Sequence, residues 1–152
     1  MLRTKRGDNV KRRIITIVLA VLVLIVIFVP CSFTLFTSEQ TLTQPSGCTL
    51  REHNQGASLI PIELSTEEAA DVGQTLRDTT LHFRGLTRHI TSEPPATLYE
   101  LSLWHEDDQT FTVLVDRKHL YLPLRAGFFV CFSPASGTDT LFSALSRLHA
   151  AA

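Results

Sequence analysis

The chain has 152 residues and a formal net charge of -1, and this length accommodates one domain with its own hydrophobic core. The charge is uneven: residues 1–13 carry six basic residues and one acidic residue, a net +5, so the remainder carries -1 minus +5, or -6. An acidic remainder lacks the basic surface with which proteins bind nucleic acid, which excludes that class of partner.

An uncharged apolar run follows the basic leader, over residues 14–29, with Thr16 as its one polar residue. The chain stays uncharged to Phe36, and the total length matches the ~20 apolar residues that cross a bilayer core of ~30 Å. Backbone groups find no water in hydrocarbon, so we expect a helix. The sequence therefore predicts a transmembrane signal-anchor over residues 14–36. Its representative apolar positions are Ile14, Leu19, Leu22, Leu24 and Val29.

The charges on either side of the run predict its orientation. Lys11, Arg12 and Arg13 stand directly before it, and the first charge after it is Glu39. By the positive-inside rule, the N-terminus is cytoplasmic and the chain beyond about residue 37 is extracytoplasmic. The leader is thus a topology signal that can also contact anionic lipid headgroups.

Three other interpretations of the run remain open. A cleaved signal peptide has an apolar region of ~7–15 residues followed by small residues, which the positions after Val29 do not offer. A lipoprotein carries a small residue before its acceptor cysteine, whereas Pro30 precedes Cys31 here. A buried helix of a soluble protein is opposed by the basic flank and the absence of a polar face. An uncleaved anchor fits best.

The segment over residues 37–58 is rich in Ser, Thr, Gln, Asn and Gly, with few large apolar residues. This composition predicts a linker or irregular stalk that lifts the rest of the chain off the bilayer. Residues 59–152 are then the extracytoplasmic domain. It opens with a short strand over residues 59–64, in which Pro61 lacks an N–H for a ladder and so favours an edge position.

A capping box marks the first helix of the domain. Ser65 and Glu68 have the spacing at which each side chain satisfies a free backbone N–H of the other residue. Apolar positions then recur at helical spacing, which predicts one buried face. Those positions are Ala69, Val72, Gly73 and Leu76. The helix is predicted over residues 66–81, with Gly85 as its end signal.

Alternating strands follow the helix. Residues 98–104 alternate between apolar and polar, as in a half-buried strand. The polar residues 106–109 predict a hairpin loop before a return strand over residues 111–115. A third strand over residues 119–122 ends at a proline, and a fourth occupies residues 128–132.

A second helix is predicted near the end of the chain. Thr138 or Asp139 can act as its N-cap, and an apolar stripe follows, formed by Leu141, Phe142, Leu145 and Leu148. So short a helix is stable only when it packs on a sheet. The order strand, helix, meander, helix predicts an α+β fold: an antiparallel sheet of three to five strands with two helices on one face.

Two cysteines fall in the predicted extracytoplasmic part. An oxidising compartment permits disulfides, so Cys48 and Cys131 are candidates for a bridge. The alternative is that Cys131, within the apolar residues 128–132, is a buried free thiol. The third cysteine, Cys31, lies at the predicted membrane edge.

The histidines and carboxylates give little sign of chemistry. None of the six histidines has the spacing of a metal-binding helix or hairpin. His105 and His119 flank the first hairpin and, with Asp107 or Asp108, form one weak metal candidate, against which exposed loop histidines are favoured. The sequence has no Gly-x-Ser-x-Gly elbow and no Gly-rich phosphate loop. We therefore predict no catalytic residue, metal site or cofactor.

Aromatic residues are the candidates for a contact surface. Trp104 ends its strand on the face opposite Leu103, and Tyr121 and Phe128 lie in the later strands. If helices cover one face of the sheet, aromatic residues on the other face either meet a partner or pack under loops. Both outcomes remain open.

The predicted function is that of a single-pass membrane protein that displays a small non-catalytic interaction or sensing domain outside the membrane. Its partners would be the lipid bilayer and an unidentified protein or cell-envelope component. One alternative is a small anchored enzyme, metal-assisted through His105 and His119. Another is an accessory subunit of a membrane complex, although Ala20 is the only small residue within residues 14–29, so no small-xxx-small packing motif is present.

Overall fold

The computed structural model describes residues 5–54, 57–90, 97–106, 109–136 and 138–151. The α-helices in these ranges are α1 Lys5–Phe28, α2 Glu39–Thr43, α3 Thr66–Arg77 and α4 Asp139–Ala151. The strands are β1 Cys31–Ser32, β2 Gly47–Asn54, β3 Ala57–Ser58, β4 Ile62–Glu63, β5 Thr80–Thr87, β6 Thr97–Trp104, β7 Phe111–Val115, β8 Leu120–Pro123 and β9 Phe129–Pro134. Two 3₁₀ turns are Phe33–Leu35 and Arg125–Gly127.

The described strands join in one antiparallel sheet of nine strands. Eight of them follow the order β1-β5-β9-β8-β7-β6-β2-β3, and β4 pairs with β2 beside β3. The α+β class is thus as predicted, and the meander β6 to β9 lies where the alternation placed it. The expected three to five strands are too few, because β1, β2, β3 and β5 also join the sheet.

One face of the sheet carries the hydrophobic core. Leu50, Leu101 and Val113 stand opposite one another across β2, β6 and β7, and all three are fully buried. They belong to the same core cluster as apolar residues of α3 and α4. The helix residues in that cluster are Ala69, Val72, Leu76, Leu141 and Leu145. We call this face the core face, and the opposite face the outer face.

Helix α3 begins as its sequence predicts. The Ser65 side chain accepts from the Glu68 N–H, and the Glu68 carboxylate accepts from the Ser65 N–H, so the capping box is complete. The helix ends at Arg77 with Asp78 as its C-cap, earlier than predicted, because the next strand begins at Thr80. Gly85 does not end a helix. It lies at a bulge in β5, where its φ of 146° favours glycine.

The residues predicted as a stalk, 37–58, are part of the domain. Ser38 caps α2 by accepting from the Thr41 N–H, and Leu42 of that helix is fully buried. In β2, Cys48 and Leu50 are buried on the core face. The stalk prediction is therefore wrong, since these segments supply a helix and an inner strand of the folded unit.

The predicted anchor likewise extends too far along the chain. Beyond α1, Cys31 and Ser32 pair with Leu81 and Thr80 of β5, and Phe33 is fully buried in the core. Its ring packs edge-on against that of Phe111, with centroids 5.8 Å apart. Residues 31–36 therefore belong to the domain, and only Val29 and Pro30 separate it from α1.

Helix α1 combines the basic residues 11–13 with the uncharged residues 14–28. Residues 1–4 of the predicted leader lie outside the described ranges.

Among the residues that the structure describes, no helix is long and apolar enough to cross a membrane.

Candidate functional site

The most unusual surface of the described chain is the apolar side of α1. Its large apolar side chains are about half exposed or more wherever burial is described. They include Ile14, Leu19, Leu22 and Leu24, and Val29 follows directly after the helix. They lie on all sides of the helix rather than on one stripe, so folding of the domain leaves this surface uncovered. An exposed apolar area of this size marks a site of interaction.

The outer face carries a cross-strand row of side chains. Arg51, Glu100, Leu114, Tyr121 and Cys131 stand opposite one another in β2, β6, β7, β8 and β9. Polar groups thus occupy positions in the middle of the sheet as well as at its edge. The row contains two polar clusters, one at each side of Leu114.

The first cluster is built around Asp116, at the turn between β7 and β8. Its Oδ1 accepts from the backbone N–H groups of Lys118 and His119 at 2.6 and 2.5 Å. Its Oδ2 accepts from the Tyr121 hydroxyl at 2.9 Å. Burial, together with the acceptance and negative charge of Asp116, raises the pKa of Tyr121 above its ordinary value. Both carboxylate oxygens are therefore used to hold the turn, and the phenol stays protonated.

The second cluster joins β2 to β6. His53 Nε2 lies 2.9 Å from Glu100 Oε2, and Arg51 Nη1 lies 3.8 Å from Glu100 Oε1. All three side chains are partly exposed. Such cross-strand pairs stabilise a sheet, and an exposed ion pair contributes only about 0–1 kcal/mol.

The three aromatic contact candidates do not form one surface. Tyr121 is buried in the first cluster. The Trp104 indole packs on Gly47, whose added Cβ would lie 2.2 Å from Trp104 Cζ2. Phe128 lies beside the 3₁₀ turn that follows β8, with the Arg88 guanidinium 4.3 Å from its ring centroid. The sequence located the three aromatic residues but gave no sign of these different surroundings.

The candidate disulfide is not formed. Cys31, Cys48 and Cys131 are all free thiols. Cys48 lies in β2 and Cys131 in β9, so β6, β7 and β8 stand between them. Four steps of about 4.8 Å separate the two strands by roughly 19 Å, whereas a bridge needs Cα atoms within ~7 Å. The Cys48–Cys131 hypothesis is therefore wrong for this fold.

We expect Cys48 to react with a thiol reagent only when the domain opens. It is fully buried, and burial raises the pKa of its thiol to about 12, so the reactive thiolate is scarce at neutral pH. Labelling followed by mass spectrometry should show Cys48 modified at least about 100-fold more slowly than Cys31 and Cys131. Equal rates for all three in the native state would contradict the packing of β2, and labelling in denaturant is the control.

The weak histidine metal candidate is not assembled. His105 follows the end of β6, where its Nδ1 lies 2.6 Å from the Gln44 carbonyl oxygen. His119 lies near Asp116, at the other end of the hairpin, about 20 Å away along the strands. Asp107 and Asp108 lie outside the described residues. Within the described ranges, no group of three or more His, Cys, Asp or Glu side chains is placed to hold a metal ion.

Sequence reasoning missed Asp116 as the central residue of the outer face. The sequence does carry a signal for this turn. An aspartate that follows an apolar strand commonly accepts a hydrogen bond from the backbone N–H two residues further along the chain, and so forms a turn. Its engagement with Tyr121 depends on the register of β7 and β8, which a single sequence does not reveal.

No family model, curated protein or solved structure matches this chain.

Proposed function

We propose that the chain is a single-pass membrane protein whose helix α1 is the anchor and whose N-terminus is cytoplasmic. The observation that supports this most directly is the exposed apolar surface on all sides of α1, preceded by Lys11, Arg12 and Arg13. Lipid tails cover such a surface without leaving polar groups unpaired, and the basic end remains on the cytoplasmic side.

The length of α1 sets a condition on this proposal, because no described helix is long and apolar enough to cross a bilayer of ordinary thickness. Residues 14–28 are helical and uncharged, and at 1.5 Å per residue they extend about 22 Å, less than a hydrocarbon core of ~30 Å. The long side chains of Lys11, Arg12 and Arg13 can reach the headgroups while their stems lie in hydrocarbon. Local thinning of the bilayer supplies the remainder at modest cost.

We propose a non-catalytic role for the anchored domain, in interaction or sensing. Two properties of the outer face support this. The Asp116 carboxylate is occupied by two backbone N–H donors of its own turn and by the Tyr121 hydroxyl of β8, which leaves it poorly suited to proton transfer. The Cys131 thiol lies opposite Tyr121 on the same face. Its pKa is raised, mainly by burial and then by the negative charge of Asp116, and Arg84 lowers it by less.

Membrane partition of the full chain tests the anchor. We expect Leu22→Arg to lower insertion on the order of 100-fold, because an arginine at a helix centre costs about 3 kcal/mol relative to leucine. The measurement is the fraction of chain that resists carbonate washing of membranes. The matched control is Ile60→Arg, because Ile60 is 85% exposed on the domain and outside the anchor.

Topology is tested separately, in intact cells, with a protease added from outside. The proposed orientation predicts cleavage of the domain in intact cells. Protection of the domain, or equal membrane retention of Leu22→Arg and the native chain, would contradict the proposal.

A further inference from the structure

An exposed apolar patch lies at one end of the core face, beyond the area that the helices cover. The pairing of β8 with β9 ends at Pro123 and Phe129, and one position further on the Leu124 N–H donates to the Phe128 carbonyl at 2.7 Å. Arg88 stands over Phe128 from the end of β5. Leu86 is opposite Val130 in the adjacent row.

This patch is apolar and basic at once. Leu86 is 63% exposed and Leu124 is 47% exposed, and Arg88 and Arg125 are exposed beside them. The described parts of the two contributing segments, residues 79–90 and 117–136, contain no aspartate or glutamate, although the chain beyond residue 13 is acidic overall. We call Leu86, Arg88, Leu124, Arg125 and Phe128 the rim.

The shape of the rim is set by a tight turn. Ala126 and Gly127 have φ values of 65° and 72°, in the left-handed region that is unfavourable for alanine. The turn thereby projects Leu124 and Arg125 from the end of the sheet instead of folding them onto it.

The rim lies at the end of the sheet from which α1 leaves. Strand β1 runs antiparallel to β5, with Cys31 opposite Leu81 and Ser32 opposite Thr80. The residues before Cys31 therefore lie toward the Leu86 end of β5. The helix contacts β5. Because only Val29 and Pro30 connect α1 to β1, the domain has no stalk to carry this end of the sheet away from an anchored helix.

We infer that the rim rests on the phospholipid headgroups of the bilayer that holds α1, with the leucines in the interface and the arginines on anionic lipid. This inference rests on the proposed function. The occupant follows from the charge, since Arg88 and Arg125 form no ion pair with a carboxylate of the described residues and so complement an anionic surface. The apolar side chains beside them suit the headgroup boundary. The domain is then held at a fixed tilt, with its outer face away from the helices and open to a second partner.

An introduced indole tests the position of the rim in the full chain. In a Trp104→Phe background, which removes the one native tryptophan, we compare Leu124→Trp with Ile60→Trp. Ile60 is also an exposed apolar residue, but it lies by β4 at the opposite edge of the sheet. In vesicles containing lipids brominated near the glycerol, we expect the indole at position 124 to be quenched several-fold more than that at position 60.

A charge variant without an introduced indole tests whether the two arginines of the rim contact anionic lipid. Relative to Arg147→Gln on α4, the pair Arg88→Gln and Arg125→Gln should weaken the contact of the domain with phosphatidylglycerol vesicles and leave its contact with phosphatidylcholine vesicles unchanged. Lys11, Arg12 and Arg13 are present in every variant, so their attraction to anionic lipid cancels from the comparison. The domain is called docked when the rim rests on the headgroups. The ratio of docked to undocked domain, measured by hydrogen exchange over residues 80–87, should fall roughly 25-fold, about fivefold per arginine.

The outcomes separate the two proposals. If all variants resist carbonate washing but the two indoles are quenched equally and the charge pair has no effect, the rim inference is overturned and the anchor stands. If the native chain itself is washed from the vesicles, both proposals fail.

Discussion

Replacing Asp116 with alanine should destabilise the domain by roughly 3–5 kcal/mol, a large part of the ~5–15 kcal/mol that holds a domain folded. Asp116 is 6% exposed and accepts from two backbone N–H groups and from Tyr121. Hydrogen bonds to a charged acceptor contribute about 1.5–3 kcal/mol each, and a buried donor left without one costs about 1–3 kcal/mol. The N–H groups of Lys118 and His119 belong to an exposed and a half-buried residue and can bind water instead, but the Tyr121 hydroxyl is buried and cannot easily do so.

Two further variants separate the turn from the tyrosine. Asp116→Asn keeps an oxygen for the two N–H groups and should cost less than half as much as Asp116→Ala. Tyr121→Phe removes the buried donor, so alanine at position 116 should then cost about 1 kcal/mol less. Urea unfolding of the full chain in mild detergent, followed by fluorescence of the single tryptophan, provides the free energies. If Asp116→Ala lowers the free energy of unfolding equally in the native and the Tyr121→Phe backgrounds, the hydrogen bond between Tyr121 and Asp116 is contradicted.

The predictable part of the fold is the part encoded by short-range patterns. Helix α3 was recognised from Ser65 and Glu68, because a capping box is a contact between residues three apart. The meander from β6 to β9 was recognised because each strand pairs with its neighbour in the chain through a short turn. In these segments, local preference and tertiary packing favour the same structure.

The missed elements depend on partners distant in sequence. β2 contains only two buried side chains, Cys48 and Leu50, and its partner β6 lies about fifty residues away, so its composition resembles a linker. The sequence pattern extends helix α3 into β5, because Gly85 resembles a helix end when the bulge opposite β9 is unknown. The rim is hidden in the sequence for the same reason, since register alone places Leu86 and Leu124 in adjacent rows at the same end of the sheet.

Gly73→Ala should destabilise the domain by about 2 kcal/mol, although the same change in an isolated helix stabilises by about 1 kcal/mol. A Cβ built on Gly73 would lie 2.0 Å from the Leu42 carbonyl oxygen and 2.9 Å from its carbon. The obstacle is backbone of α2, which the buried Leu42 side chain and the 3.1 Å ion pair between Arg77 and Glu39 hold against α3. Overpacking of this kind costs about 1–3 kcal/mol, occasionally more, and here it exceeds the gain in helix propensity.

Whether Gly73→Ala stabilises or destabilises the domain shows which is larger, the cost of overpacking against α2 or the gain in helix propensity. Gln74 is the next residue of the helix and is exposed. Comparing Gln74→Gly with Gln74→Ala therefore measures helix propensity alone, because both variants lose the hydrogen bond from Gln74 to Asp78. We expect alanine to be better at position 74 by about 1 kcal/mol and worse than glycine at position 73. A melting temperature for Gly73→Ala above that of the native chain would show that α2 does not pack on α3 at Gly73, and the segment over residues 37–46 would again be a linker.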